Sequence, residues 1–365
     1  MRKKKTVSSR ENNHLSQIKD YLKQHKEDHY NFEEERAYTV SSGSLKLDIE
    51  MGGGIKPGII RASGVTEGGK TSCALAFAVN FQKMDNSMVV YIKSEGRLSN
   101  EMVKRSGVNT NEEKWFVYKC NVYESVIDFI RKLVDDNPDD IRYMFIIDSM
   151  DALIPRGDLE KGADEALKVA GGSLLSSDFL RRMALALASR GHVCYMVSQV
   201  RATLKLNPYE KGEPKITNAS GGNAILHYSD WILEFQPRYI KDLITTQANG
   251  KGEQLGHWCK IIFRKSANEK TGTEVRYPIR YGRIDGKSIW VEYEVADMML
   301  MWDMAAAKGA WVTISDEIIE EVKEAIDLEF KKQHQGLDNL RKYFEENKEI
   351  GKYLFHKFRD VLKKS

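Results

Sequence analysis

The chain has 365 residues, of which 41% are apolar and 30% are charged. This composition is typical of a globular protein with a substantial core, and it excludes a fibrous or wholly disordered chain. The 56 basic and 53 acidic residues give a net charge of +3, so any nucleic-acid site must be a local patch rather than a property of the whole surface. No run of about 18 apolar residues occurs, so no membrane span is expected.

The basic N-terminal sequence MRKKKT is not followed by an apolar segment, so it is not interpreted as a secretory signal. The four cysteines, Cys73, Cys120, Cys194 and Cys259, do not stand at metal-ligand spacing. We interpret them as free thiols in a reducing compartment, and we expect the protein in the cytoplasm.

The first of three predicted parts, residues 1–35, contains a polar tail and a short helix over residues 13–28. Leu15, Ile18 and Leu22 recur there at three- and four-residue steps and form a narrow apolar stripe. A helix this short and polar is not stable alone. We therefore expect it to dock on its own body or on a neighbouring subunit.

The second part, residues 36–294, alternates strand-like and helix-like stretches. The predicted strands are Gly58–Ala62, Met88–Lys93, Tyr143–Asp148, His192–Ser198, Trp231–Phe235, His257–Phe263 and Val275–Ile279. The predicted helices are Thr71–Lys83, Asn100–Ser106, Ser125–Val134 and Ser173–Ser189. This alternation predicts an α/β fold with a mostly parallel sheet covered on both faces. The later strands lie close together in sequence, so one side of the sheet is expected to be antiparallel or mixed.

The third part, residues 295–365, is highly charged and predicted to be a small, mostly helical C-terminal domain. It contains an apolar cluster at residues 298–302. The apolar positions on one side of its last helix are Ile350, Tyr353, Leu354, Phe358, Val361 and Leu362.

A glycine-rich loop between the first predicted strand and the first core helix matches the phosphate-loop pattern G-x-x-x-x-G-K-[ST] in full. Its residues are Gly64, Val65, Thr66, Glu67, Gly68, Gly69, Lys70 and Thr71, and Ser72 follows in the helix. Such glycines let backbone N–H groups turn toward phosphate oxygens, and the helix N-terminus adds positive charge. Lys70 would contact the β- and γ-phosphates of ATP, and the Thr71 hydroxyl would ligate Mg²⁺. We predict that all nine residues bind the nucleotide.

Three polar residues end other predicted strands. Asp148 follows an apolar run, as in a Walker B strand, and would hold the Mg²⁺. Glu95 lies just beyond another strand, where it could polarise a water that attacks the γ-phosphate, although a solvated loop glutamate fits the same position. Gln199 ends a third strand, and its amide could contact the γ-phosphate.

These features together resemble the RecA family of DNA recombinases from about residue 39 to the C-terminus. The stretches that carry the resemblance are Val40–Ile49, Asp148–Leu153, Ser220–Ala224, Gly309–Trp311 and Asn347–Leu362. The resemblance implies that Glu95 is the catalytic glutamate and that Gln199 couples ATP to DNA. It places Lys265 near a lysine pair that reaches the ATP of the adjacent subunit. It also implies that residues 13–28 form the polymerisation helix, which packs on the neighbour in a filament.

Two stretches, residues 156–172 and 200–222, match the family's first and second DNA-binding loops. The second is long and basic, with one aromatic residue, which suits contacts to DNA phosphates and wedging between bases. The predicted DNA-binding residues are Arg201, Lys205, Tyr209, Gly221, Gly222 and Asn223.

The chain also departs from the family pattern at two positions near the nucleotide, and its phosphate loop contains an unusual acidic residue. Lys93 stands where the family has an acidic residue, and Met102 replaces the aromatic residue that stacks on adenine. Glu67 puts a negative charge in the phosphate loop and is expected to point outward. Such departures are typical of a diverged member, similar to the recombinases of T4-type phages.

The sequence therefore predicts an ATP-dependent recombinase that needs ATP and Mg²⁺ and forms a helical filament on single-stranded DNA. The filament would pair that strand with homologous duplex DNA and exchange strands. An ATP-binding regulatory or scaffold protein of the same fold, without strand exchange, is the first alternative. A ring-forming motor such as a replicative helicase is the second.

Overall fold

The computed structural model describes residues 8–31, 36–96, 98–159, 171–199, 227–246 and 252–364. The helices within these ranges are α1 (Ser8–Gln24), α2 (Leu45–Glu50), α3 (Lys70–Phe81), α4 (Asn100–Ser106), α5 (Tyr123–Asp135), α6 (Arg156–Leu159), α7 (Gly171–Ser189), α8 (Val291–Met301), α9 (Asp316–Ile326), α10 (Gly336–Glu346) and α11 (Lys348–Lys364). The strands are β1 (Gly58–Gly64), β2 (Ser87–Lys93), β3 (Trp115–Lys119), β4 (Arg142–Asp148), β5 (Val193–Val197), β6 (Trp231–Phe235), β7 (Leu243–Thr245), β8 (Gln254–Lys265), β9 (Glu274–Arg280), β10 (Ala305–Lys308), β11 (Trp311–Ile314) and β12 (Gln333–Gln335). Across these ranges, no helix combines the length and the apolar character that a membrane span requires.

The central sheet has nine strands in the order β3-β2-β4-β5-β1-β6-β8-β7, with β9 also paired to β8. The six strands from β3 to β6 are parallel. Strand β8 runs antiparallel to β6, β7 and β9. The predicted α/β fold, with a mostly parallel sheet and one antiparallel side, is confirmed. Because parallel strands share one carboxyl edge, the ends of β1, β2, β4 and β5 lie close together there.

All seven predicted strands occur, and so do the four predicted core helices, with ends shifted by a few residues. Two strands of the central sheet were missed. Strand β3 lies at the edge of the sheet and fully buries only Trp115, so it lacks the continuous apolar run that marks the interior strands. Strand β7 has only three residues, which is too short for a periodic pattern.

Apolar side chains cover both faces of the sheet. On one face, Phe77 and Phe81 of α3 pack in a cluster with residues of β1, β5 and β6. On the other, Ile130 of α5 and Leu180 of α7 belong to a second cluster with residues of β2 and β4. The sheet is therefore buried on both faces, as parallel sheets require, and its carboxyl edge is held rigidly.

The C-terminal residues form a third apolar cluster around Phe344, Leu354 and Phe358. Helices dominate this part, as predicted, but β10, β11 and β12 add a small antiparallel sheet that the sequence did not predict. Strand β10 is rich in alanine, which is depleted in strands, so its local sequence gives little strand signal. Lys308 pairs with Trp311, which leaves Gly309 and Ala310 as the two-residue turn.

Two buried carboxylates join the segment before β1 to the C-terminal helices. Glu294 of α8 is fully buried and accepts hydrogen bonds from the Ser44 hydroxyl and from the Leu45 N–H. Asp48 of α2 is also fully buried and accepts from Arg359 of α11, with 2.7 Å between Oδ2 and Nη1. Buried, hydrogen-bonded charges of this kind fix the position of one element on another.

The Glu294 contact predicts a dependence of stability on pH. Burial raises the pKa of Glu294 to about 7, against hydrogen bonds from Ser44 and Leu45 that lower it. The folded state therefore holds this proton more tightly than the unfolded chain, and the resulting stability is full below about pH 4.5 and lost as the pH rises through about 7. Compared with the Glu294→Gln variant, the wild type should lose about 3 kcal/mol of unfolding free energy between pH 4 and pH 8. Denaturant melts across this range measure the difference, and parallel pH profiles would contradict the assignment.

Candidate active site

The phosphate loop connects the end of β1 to the start of α3. Gly64 has a φ of 136°, and a Cβ there would stand 2.3 Å from the carbonyl oxygen of Phe235. Gly69 has a φ of 103°, in the left-handed region, and precedes the first helical residue. Side chains at these two positions would be strained or would collide with β6. The glycines therefore let bare backbone form the loop, as a phosphate cradle requires.

Lys70, the first residue of α3, bends back onto the loop. Its Nζ donates to the carbonyl oxygens of Gly64, at 2.9 Å, and Val65, at 2.7 Å, and only 7% of the residue is exposed. The ammonium is thus held against the loop backbone next to the N-terminus of a twelve-residue helix. Two sources of positive charge converge there, which suits the phosphates of a nucleotide.

Thr71 and Asp148 meet in the structure although they are far apart in sequence. The Thr71 hydroxyl donates to Asp148 Oδ2 at 2.8 Å. A hydroxyl and a carboxylate are the oxygen ligands that suit Mg²⁺, which takes few protein ligands and keeps waters and phosphates. Among the described residues, no group of three or more His, Cys, Asp or Glu side chains could hold a metal. The Thr71 hydroxyl and the Asp148 carboxylate fit Mg²⁺ that is held jointly with a nucleotide.

Tyr91 of β2 is a further partner of Asp148, which the sequence analysis missed. It is almost fully buried, and its hydroxyl donates to Asp148 Oδ2 at 2.6 Å. Burial and the nearby Asp148 charge both raise the pKa of Tyr91, so the hydroxyl stays protonated and remains a donor. Tyr91 thereby orients the carboxylate that we predict to bind the metal.

Replacing Tyr91 with phenylalanine should raise the Mg²⁺ concentration needed for half-maximal ATP hydrolysis by about tenfold, because a hydrogen-bond partner that orients a metal ligand is lost. Magnesium titrations at saturating ATP measure this shift. The matched control is Tyr143→Phe, at the opposite end of β4 from Asp148, which should leave the titration midpoint unchanged. An equal shift in both variants would contradict the role of Tyr91.

Glu95 is held by residues from the ends of two other strands. Its Oε1 accepts a hydrogen bond from the Ser149 hydroxyl and another from Gln199 Nε2, at 3.3 Å. The Ser94 hydroxyl donates to the carbonyl oxygen of Ser149 at 2.7 Å, which ties the chain after β2 to the chain after β4. The structure thus joins Glu95 to Gln199 directly. Ser149 could not be recognised as a partner from the sequence, since a serine after a strand carries no distinctive signal.

Two other predicted residues, Lys265 and Met102, belong to β8 and α4. Lys265 pairs with Ile232 near the start of β6, whereas Gly64 of the phosphate loop pairs with Phe235 at its end. Lys265 therefore lies at the opposite end of β6 from this chain's own loop, where its Nζ donates to the His227 carbonyl oxygen at 2.8 Å. Met102 lies in the first turn of α4 and packs, partly buried, against the core beside α3.

The exposed part of the phosphate loop comprises Thr66 and Glu67, and Ser72 is exposed in the first turn of α3. Glu67 is exposed, as expected, and has a φ of 62°. The six predicted DNA-binding residues lie outside the residues that the structure describes. They are Arg201, Lys205, Tyr209, Gly221, Gly222 and Asn223.

A phosphate loop between a buried strand and a helix, facing a strand-end carboxylate in a parallel sheet, defines a phosphate-loop nucleotide-binding protein. The family described as RecA N-terminal domain matches residues 15–282, and the chain belongs to the RecA family.

Curated relatives agree with this assignment along most of the chain. Protein RecA of Rippkaea orientalis is 29% identical over 331 residues, which cover 90% of this chain and 84% of that protein. Protein RecA of Synechocystis sp. is 27% identical over 331 residues, which cover 90% of this chain and 82% of that protein. Protein RecA of Listeria welshimeri is 28% identical over 317 residues, which cover 86% of this chain and 80% of that protein.

Proposed function

We propose that this protein is an ATP-dependent DNA recombinase that forms filaments on single-stranded DNA and catalyses homologous pairing and strand exchange. The observation that carries the proposal is the hydrogen bond between Glu95 and Gln199, at 3.3 Å. It joins the residue proposed to activate water to the residue that precedes the proposed second DNA loop. A protein that merely binds ATP has no need of this connection.

ATP is the proposed substrate, and the phosphate loop from Gly64 to Thr71, with Ser72, would hold its phosphates. Thr71 and Asp148 would hold Mg²⁺, which neutralises charge on the phosphates when it is bound. Lys70 adds a full positive charge beside them, and Glu95 orients and deprotonates water. Met102 would lie beside the adenine.

Two features of the chain support assembly into a filament. Helix α1 leaves Leu15, Ile18 and Tyr21 more than half exposed, at three-residue steps along one side. Such a stripe on a helix is a docking face, and a neighbouring subunit would bury it. Lys265 lies at the far end of β6 from its own phosphate loop, which suits a role at a neighbouring subunit's nucleotide.

The direct test is ATP hydrolysis with and without single-stranded DNA, together with negative-stain microscopy and strand exchange between a circular single strand and a linear duplex. We expect DNA to stimulate hydrolysis, ATP to promote filaments, and joint molecules to form. Absence of stimulation and of filaments would overturn the proposal in favour of a regulatory or scaffold protein. If DNA stimulates ATP hydrolysis and filaments form but no strands are exchanged, the protein is a DNA-dependent ATPase and not a strand-exchange enzyme.

Mixing two inactive variants tests whether Lys265 acts on a neighbouring subunit. Lys265→Ala and Glu95→Gln proteins should each hydrolyse ATP poorly, because each lacks one group of a shared site. In a mixture, some interfaces combine the intact Glu95 of one subunit with the intact Lys265 of the next, so activity should recover to about a quarter of the wild-type value. Lys270→Ala, which removes a lysine paired with Glu50, is the control. No recovery on mixing would contradict action between subunits.

A further inference from the structure

The central strand β1 carries a buried charge that the nucleotide site does not explain. Arg61 lies in β1, between β5 and β6, and only 4% of it is exposed. Its neighbours along the strand, Ile60 and Ala62, are fully buried apolar residues. Burying a guanidinium is costly unless it is paired and hydrogen-bonded. Burial lowers the pKa of Arg61, and the negative charge of Asp151 raises it in partial compensation.

The contacts of Arg61 lead to Gln199. Its Nε donates to the hydroxyl of Ser198 at 2.9 Å. Ser198 is fully buried, its own N–H donates to the Ala62 carbonyl oxygen at 2.8 Å, and it immediately precedes Gln199. The residue after β5 is therefore held to β1 by two hydrogen bonds, one from the Arg61 side chain and one to the Ala62 carbonyl oxygen.

Asp151 contacts Gln199, the residue that follows Ser198. Its Oδ2 accepts the backbone N–H of Gln199 at 2.5 Å. Its Oδ1 is buried and accepts no hydrogen bond from the part of the chain that the structure describes. A buried carboxylate oxygen in this state relies on nearby positive charge for compensation, and Arg61 is close enough to Asp151 for their charges to interact.

We propose that Arg61 and Asp151 are positioning residues for Gln199, and that they couple the nucleotide site to DNA. Arg61 lies on the strand that leads into the phosphate loop, and Asp151 lies three residues after the proposed metal ligand Asp148. Arg61 donates to the Ser198 hydroxyl and Asp151 accepts the Gln199 N–H, while the Gln199 side-chain amide donates to Glu95. A displacement of β1 or of the chain after β4 is thereby transmitted to Gln199. The inference rests on the proposed function, since it assigns the coupling of that same site.

The first test compares the stimulation ratio, defined as ATP hydrolysis with single-stranded DNA divided by hydrolysis without it. Asp151→Ala and Arg61→Met should each lower the ratio at least about fivefold. Affinity for a fluorescent ATP analogue should change less than about twofold, because neither residue belongs to the phosphate loop. Arg61→Lys keeps the charge without the planar donor and should have an intermediate ratio. Unchanged ratios in Asp151→Ala and Arg61→Met would overturn the proposal.

A double variant separates coupling from a general loss of stability. Arg61→Met with Asp151→Asn removes the buried guanidinium and the Asp151 carboxylate charge together, so neither charge is left without the other, and folding should be preserved. If the two residues act as a pair, its stimulation ratio should equal that of the worse single variant, whereas independent effects would multiply. The control is Arg341→Met, which removes another buried arginine, one that lies in α10 and pairs with Asp338. It should lower the melting temperature without changing the ratio, and an equal fall in the ratio would overturn the proposal.

Hydrogen exchange tests, in the absence of DNA, whether Arg61 and Asp151 position Gln199. The Gln199 amide should exchange at least about tenfold faster in Asp151→Ala and Arg61→Met than in the wild type or in Arg341→Met. Unchanged exchange would overturn the positioning role. A wild type that DNA does not stimulate would instead refute the proposed function, while the exchange result would still decide whether this pair positions Gln199.

Discussion

Replacing Lys70 with alanine should abolish ATP-dependent filament formation and lower ATP hydrolysis at least about a hundredfold, because the charge placed to stabilise the phosphates is lost. Lys70 is 7% exposed, and its ammonium is held against the loop by the carbonyl oxygens of Gly64 and Val65. No other lysine among the described residues of the loop and α3 can replace it. Hydrolysis assays and negative-stain microscopy with and without ATP measure the two effects.

The matched control for this variant is Lys83→Ala. Lys83 follows the other end of α3, where its Nζ donates to the side-chain oxygen of Asn80 at 2.8 Å. This exposed contact should contribute little to stability, so hydrolysis and filaments should be as in the wild type. Normal ATP-dependent filaments in Lys70→Ala would show that the loop lysine has been assigned wrongly.

The phosphate loop could be predicted from the sequence because its chemistry is local. Eight contiguous residues supply the glycines, the lysine and the hydroxyl, and the flanking strand and helix are also contiguous. The meeting of Glu95, Asp148 and Gln199 needed one more step, the rule that parallel strands end at a common edge. Each of the three residues follows or ends an apolar strand, so the sequence and that rule together were sufficient.

The partners that orient these residues could not be predicted, because they come from positions that resemble ordinary strand interior. Tyr91 is 57 residues from Asp148, and Arg61 is 137 residues from Ser198. In sequence, Tyr91 is one more aromatic residue in an apolar run, and Arg61 is a lone polar residue in another. Only the register of β1, β2, β4 and β5 places the Tyr91 side chain beside Asp148 and the Arg61 side chain beside Ser198.

The position of Lys265 illustrates a different limit. The resemblance to the RecA family implied that Lys265 reaches the ATP of an adjacent subunit, but not where it lies relative to its own chain's loop. In the structure, β8 runs antiparallel to β6 and carries Lys265 away from its own chain's loop. The antiparallel direction of β8 is therefore the reason that Lys265 is a candidate for an interface between subunits.

Replacing Glu95 with glutamine should slow ATP hydrolysis by about a hundredfold or more while leaving nucleotide binding intact, because an amide cannot act as a general base. Glutamine has nearly the same shape, and its oxygen can still accept the hydrogen bonds from Ser149 and Gln199. The connection from the nucleotide site to Gln199 should therefore survive. Filaments that form with ATP should persist much longer than those of the wild type, since hydrolysis no longer resets them.

The hydrolysis rate and the filament lifetime together distinguish a catalytic role of Glu95 from a structural one. Single-turnover hydrolysis measures the first, and the lifetime of filaments after dilution measures the second. Glu101→Gln, which neutralises an exposed carboxylate on neighbouring α4, should change neither quantity. If Glu95→Gln instead loses nucleotide binding, Glu95 serves to hold Ser149 and Gln199 in place rather than to activate water. Slow hydrolysis with long-lived filaments is the combination that a general base linked to the DNA response requires.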